Sequence, residues 1–329
     1  MSKGLRSVSS AILLAPVNSA GFADMADLIL HHYDISPYAE KIRLAFGLKG
    51  LAWRSVIQPM VLPKPDLMPL TGGFRRTPVL QVGADIYCDT LRIAMELDRR
   101  FPAPPLLPED GRGFDAMLAT WAERVLMWPT ARYVTGMNRD GLSEGFFRDR
   151  SAMRGHAAPD MEKVASDLPH QEGQLRHMLG WVEDLLARPE PDLATRTPRL
   201  ADFALYQRLW WLKALDGKAA PVLAGHPRIE DWMARIAAIG HGRRSELTPA
   251  DALRIASEAK PAPVASAGPP GGIPPGSRVR VATEDFALDP VEGETVHATP
   301  NEITIRREDP NTGTIHVHFP RLGYEVTAL

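Results

Sequence analysis

The sequence predicts an α/β domain, then an all-α helical bundle domain, then a small C-terminal β domain, and three observations predict this order. Strand-like apolar runs alternate with helical apolar spacing from residue 26 to 105; helical spacing with almost no strand pattern fills 112 to 259; strict apolar alternation returns from 277 to 329. A chain of 329 residues, 44% hydrophobic and 24% charged, is long enough for two or three such cores. Its net charge of −2 and the lack of a sustained basic run offer no field for a nucleic acid. One cysteine, Cys88, excludes an intramolecular disulfide and any CxxC redox or zinc motif, and fits a reducing, cytoplasmic setting.

Residues 1–25 read as an N-terminal extension, expected to be disordered. Their AILLAPV run, behind Lys3 and Arg6, has a weak likeness to a secretory signal but is too short to span a bilayer. Asp27 to Asp34 reads as a short strand, and its continuous Leu28-Ile29-Leu30 run suits the middle of a sheet. From Pro37, Ile42, Ala45 and Phe46 share one helical face, and Gly50 supplies a stop. Ala52 to Gln58 reads as a second strand, followed by a proline-rich loop ending in Thr71-Gly72-Gly73. VLQVGADIYC breaks at Gly83-Ala84-Asp85 as a hairpin, and the helix from Thr90 to Phe101 cannot continue past Pro102.

In the helical region, Trp121, Met127, Trp128, Trp181, Trp210, Trp211 and Trp232 are expected mostly to fill the core. Residues 260–276 form a linker by composition, with proline to stiffen it and nothing in it that can pack. Beyond it, Val279 and Val281, Ile303 and Ile305, and Ile315, Val317 and Phe319 alternate like a half-buried sheet. So small a sheet needs a second surface to cover its apolar face. It is expected to dock on the helical domain, in the same chain or in a dimer partner.

The chemistry centres on Ser36-Pro37. Serine at an N-cap and proline at the first helical position are favoured for structural reasons alone. Yet a helix start beside the carboxyl end of a strand also presents unpaired N–H groups and the positive end of a dipole, where an anion can be held. Lowering a thiol pKa by about two units needs roughly 2.7 kcal/mol of preference for the thiolate. One hydroxyl hydrogen bond to a charge, about 1.5 to 3 kcal/mol, meets that need with help from the dipole. With no cysteine at this turn, the thiolate would belong to a ligand. Two further stretches suit a thiol peptide. In FRRTPVL, a cis Thr77-Pro78 bond would free the Thr77 backbone to pair with a peptide. In CDTLRIA, Thr90 and nearby N–H groups could hold a carboxylate while Asp89 holds an ammonium.

Taken in order, SPYAEKIRLAF, TPVLQVG and YCDTLRIAMELDRRFP resemble the glutathione S-transferase family across roughly residues 26 to 259. The resemblance implies a thioredoxin-like domain over 26–105 that binds glutathione, followed by the helical domain. It implies that Ser36 stabilises the glutathione thiolate, with Tyr33 as the alternative hydroxyl. Thr77 and Pro78 would pair with the cysteinyl backbone, and Asp89 with Thr90 would take the γ-glutamyl end. Arg75 or Arg76 would neutralise the glycyl carboxylate. The thiol site is expected to lie wholly in the first domain.

Two features depart from the family pattern. A serine or threonine often stands three residues before the buried aspartate of the second domain, but Arg199 holds that place before Asp202, so the capping box is incomplete and Thr197 becomes the candidate cap. The third domain has no counterpart in ordinary transferases. The implied activity is conjugation of the glutathione thiolate to an electrophilic, mostly apolar small molecule by a cytoplasmic homodimer. A non-catalytic binding or scaffold protein that uses its β domain for partner contacts, and a glutathione-dependent isomerase, are the alternatives. No metal is expected: His31-His32 and His316-x-His318 have no cysteine or third histidine nearby in sequence. Cys88 reads as a buried small residue, not a nucleophile.

Overall fold

The computed structural model describes residues 27–264 and 273–329; the predicted extension and part of the predicted linker lie outside the described residues. β1 (Ile29–His32) leads into α1 (Pro37–Leu48) and β2 (Ala52–Ile57), which pairs with β1 in parallel. The proline-rich stretch carries a one-turn helix, α2 (Met68–Thr71), where the sequence suggests only loop. β3 (Val79–Val82) and β4 (Asp85–Cys88) form the hairpin, with β3 antiparallel to β1, and α3 (Thr90–Arg100) follows. Side chains alternate across this sheet as strand geometry requires. Leu28 and Leu30 enter a core with Ile42, Phe46 and Ile93, while Ile29 meets Val56 and Ala252 on the opposite face.

The helical region comprises α4 (Arg112–Thr120), a π turn (Trp121–Val125), α5 (Met127–Met137), α6 (Glu144–Ala152), α7 (Met161–Ser166), α8 (Leu168–Leu186), α9 (Leu200–Ala214) and α10 (Pro227–Ala237). Its core is continuous with that of the first domain, because α9 packs along α1. The tryptophans do not mostly fill it. Trp232 is 3% exposed, whereas Trp181 is 50% exposed and Trp121, Trp128, Trp210 and Trp211 are only partly buried.

Helices do not extend over all of 112–259. After α10 the chain returns to the first domain as β5 (Arg243–Glu246), which adds to β2 in parallel, and α11 (Pro249–Glu258), which covers the Ile29 face of the sheet. The sequence of β5, RRSE, hides it: all four residues are exposed, so no apolar alternation marks an edge strand held by backbone pairing.

The C-terminal strands are β6 (Arg278–Thr283), β7 (Val291–Ala298), β8 (Glu302–Asp309), β9 (Gly313–Pro320) and β10 (Tyr324–Ala328). Their docking corrects the expectation. β9 pairs in parallel with β4, aligning Asp85 with His316 and Tyr87 with His318. One ten-stranded sheet results, in the order β10-β6-β7-β8-β9-β4-β3-β1-β2-β5. The second surface that covers the tail is therefore chiefly the α/β domain: Leu67, Leu70, Phe74 and Ile86 share a core with Val281, Ile303, Val317 and Phe319. Loops of the tail also reach the helical domain: Ala287 N–H donates to Met153 O at 2.6 Å, and Gly323 lies against the Arg124 guanidinium. No helix among the described residues is long and apolar enough to cross a membrane.

Candidate active site

Between the α/β domain, the helical domain and the β6–β7 loop lies a cavity of about 1020 Å³. The structure brings Tyr33, Arg75, Arg76, Thr77, Pro78, Asp89 and Thr90 together on its wall. Ser36 is not among the described wall residues, although Ile35 and Pro37 on either side of it are. It is 1% exposed and caps α1, where its Oγ accepts a hydrogen bond from Ala39 N–H at 3.2 Å. Accepting that bond leaves the hydroxyl proton available for donation. The Tyr33 hydroxyl accepts from Arg150 Nη2 at 3.4 Å, and Lys64 Nζ lies 5.9 Å from its ring centre.

The Thr77–Pro78 peptide bond is cis, and it stands at the entrance of β3. Asp89, the N-cap of α3, adopts a positive φ of 76° and accepts from Leu91 N–H at 2.9 Å. Burial raises its carboxyl pKa, while the Leu91 N–H works against the rise. Its second oxygen accepts from the Tyr324 hydroxyl at 3.1 Å. Thr90 Oγ1 accepts from Lys41 Nζ at 3.1 Å, and the same ammonium pairs with Glu123 at 2.7 Å. Gln207 Nε2 holds Glu123 from α9 at 2.9 Å, so the acidic helix start is tied to both domains.

The two arginines are already engaged. Arg75 pairs with Asp149, and Arg76 pairs with Asp285, donates to Phe286 O and stacks on the Phe286 ring at 3.7 Å. Tyr324, Asp285 and Phe286 all come from the C-terminal unit, so the site does not lie wholly in the first domain. Nothing in the local sequence around them signals this role. Lys41, Lys64 and Glu123 were also not legible as site residues. Lys64 is buried against the wall, and desolvation, reinforced by Arg150, lowers its pKa to about 7.

Other sequence candidates resolve differently. Cys88 is fully buried, and burial holds its thiol pKa well above the ordinary value. His31 and His32 are also fully buried and hydrogen-bonded, His31 to Gln81 and Gln58, His32 to Ser55 and Arg43. His316 and His318 do meet a third group, which the strand pairing supplies from a distant part of the sequence: Asp85. The three offer ligand atoms within 4.8 Å of one another, and Asp85 Oδ1 accepts from His318 Nε2 at 2.9 Å. At Asp202 the carboxylate half of the capping box is made, to Arg199 N–H at 2.7 Å. Arg199, not Thr197, is the N-cap, and no hydroxyl completes the box.

A cis-proline strand, a capped helix start and an acidic-hydroxyl helix start around one cleft, with a helical domain closing it, define a thioredoxin-like domain joined to a helical domain. The match to known families agrees. Residues 30–105 match the glutathione S-transferase N-terminal domain, and residues 140–239 match the glutathione S-transferase C-terminal domain. A solved GST-like protein from Pseudomonas syringae is 38% identical, with a TM-score of 0.70, over 93% of this chain and 100% of that one. The chain belongs to the glutathione S-transferase family. That coverage must take in part of the C-terminal β unit. Glutathione S-transferase Z1 from Arabidopsis thaliana is 35% identical over 89 residues, and FtsZ-localized protein A from Caulobacter vibrioides is 27% identical over 179 residues, or 53% of this chain and 72% of that one. The chain spans only 38% and 44% of the lengths of the two plant relatives it matches.

Proposed function

We propose that the protein is a glutathione-dependent transferase of the cytoplasm, acting as a homodimer, in which the glutathione thiolate attacks an electrophilic small molecule held by the helical domain. The observation that carries the reading is the convergence of Thr77, cis-Pro78, Asp89 and Thr90 on one cavity beside the start of α1. In this reading the Thr77 backbone pairs with the cysteinyl unit, and Asp89 and Thr90 hold the γ-glutamyl end. The Ser36 hydroxyl donates to the sulfur, favouring the thiolate, which forms the C–S bond as the leaving group departs. Arg76 serves the glycyl carboxylate by exchanging Asp285 for it.

A non-catalytic binding protein is the second reading, and the burial of Ser36 as a helix cap outside the described wall favours it. Absorption of the pure protein on immobilised glutathione, followed by an assay with chlorodinitrobenzene, separates the two. Retention with turnover supports the transferase; retention without turnover supports the binding protein; no retention refutes the transferase.

A further inference from the structure

The helical side of the cavity is not wholly apolar: guanidinium groups stand among side chains such as Met127, Trp128 and Phe147. Arg124, Arg132, Arg150, Arg154 and Arg208 all reach it. Arg208, on α9, is 1% exposed, which places a charged guanidinium in the interior. Its guanidinium carbon lies 4.3 Å from the centre of the Tyr38 ring, yet neither Nε nor Nη2 meets a hydrogen-bond acceptor among the described residues. Arg154, just beyond α6, repeats the pattern: it stacks over Trp128 at 4.9 Å, donates Nη1 to Arg150 O at 3.1 Å, and leaves Nε without an acceptor. Burial, with Arg150 and Arg132 nearby, depresses the Arg154 pKa, as expected of a cation with too few counter-charges.

The acids of the cavity do not relieve this excess. Glu123 is taken by Lys41, Asp285 by Arg76, and the neighbouring Asp149 by Arg75 and Arg150. Asp89 is held by Leu91 N–H and Tyr324, Asp160 caps α7, and Asp167 pairs with Lys163. No carboxylate among the described residues forms an ion pair with Arg208 or Arg154. A buried guanidinium with open donors is costly unless an anion completes it, and its planar fork matches an oxyanion such as a carboxylate.

We propose that Arg208 and Arg154 form an anion subsite that takes a carboxylate carried by the electrophilic second substrate. The substrate assignment rests on the transferase reading above, whereas the subsite itself rests only on the guanidinium geometry.

The test uses the full chain and two matched probe pairs. Binding of para-nitrobenzoate and the uncharged para-nitrobenzamide is followed by calorimetry without glutathione. Conjugation of a chlorodinitrobenzoate and the corresponding amide is then compared with glutathione present. The benzoate should bind at least about tenfold more tightly than the amide, the scale of a charge-assisted hydrogen bond. Arg208→Met and Arg154→Met should each remove most of that preference, and Arg208→Lys should restore part of it. Should Arg208→Met fail to fold, Arg154→Met decides alone, since Arg154 is only partly buried. Equal binding of benzoate and amide by the wild type would overturn the subsite, as would a preference that survives both substitutions. Loss of glutathione affinity with the benzoate preference intact would overturn it too, and would assign these arginines to glutathione's own carboxylate. A benzoate preference without any conjugation would uphold the subsite while refuting the transferase reading.

Discussion

Phe319→Ala measures whether the C-terminal unit is a separate module or part of the main sheet. Phe319 lies on β9, is fully buried, and contacts Phe74 of the first domain at 5.8 Å and Tyr324 at 5.6 Å between ring centres. Truncating such a side chain costs about 3–5 kcal/mol in lost transfer energy and cavity formation. If β6–β10 melt with the rest, roughly 300 residues carry an unfolding entropy of about 0.6 kcal/mol/K, and the loss lowers one transition by about 5–8 °C. A separate unit of roughly 55 residues would carry only about 0.1 kcal/mol/K, and the same loss would lower its own transition by more than about 25 °C. Scanning calorimetry, with near-ultraviolet circular dichroism as a second probe, distinguishes these outcomes. The β4–β9 pairing and the shared core predict the smaller shift in a single transition. Two transitions, with the larger unmoved by the substitution, would refute the cooperative sheet.

Four further outcomes are expected. Ser36→Ala should lower turnover at least about tenfold while costing about 1 kcal/mol of stability; an unchanged pKa of bound glutathione, read by thiolate absorbance, would remove Ser36 from the chemistry, and Tyr33→Phe run alongside tests the other hydroxyl. Asp89→Ala and Thr90→Ala should weaken glutathione binding more than they slow the chemical step, because both act at the non-reacting end; wild-type affinity by calorimetry would contradict that role. Asp285→Asn should tighten glutathione binding roughly two- to fivefold by releasing Arg76 from an exposed ion pair, and no change in affinity would argue against Arg76 as the glycyl partner. Burial holds His31 at a pKa of about 4 and His32 at about 3, so both are neutral when folded while the unfolded chain takes up protons below about pH 6.5. Stability should therefore be full above that pH and fall by about 1.4 kcal/mol per pH unit for each histidine as pH drops toward 4; a melting temperature constant from pH 7 to 5 would refute this.

The features legible in the sequence are those whose chemistry is local. Ser36-Pro37 announces a helix start because the cap bond spans three residues, and Asp89 likewise caps α3 through a neighbour two residues on. What was hidden depends on partners far along the chain. Lys41 meets Glu123 from 82 residues away, and Tyr324 meets Asp89 from 235. Sequence spacing carries no record of either contact, since neither residue type is unusual where it stands.

The tail shows how a correct pattern can still give the wrong neighbour. TIHVHF alternates apolar and polar residues, which suits a strand with one face in solvent. His316 and His318 occupy the polar face, but β9 is not an edge: it runs between β8 and β4, and both histidines are buried. His318 can be buried because it satisfies both ring nitrogens, with Thr304 and Asp85, while its ring stacks on Tyr87; His316 Nδ1 lies 3.8 Å from the same Asp85 carboxylate and has no hydrogen-bond partner among the described residues. Asp85 in turn accepts from Ala262 N–H, fastening the chain that leaves α11 to the same seam. The join that turns two sheets into one thus adds, to the backbone pairing and the shared apolar core, polar residues that, read singly, point to solvent. The same join carries Tyr324 and Asp285 to Asp89 and Arg76, so a substitution that loosens the seam should disturb the candidate glutathione site without touching any residue of the first domain.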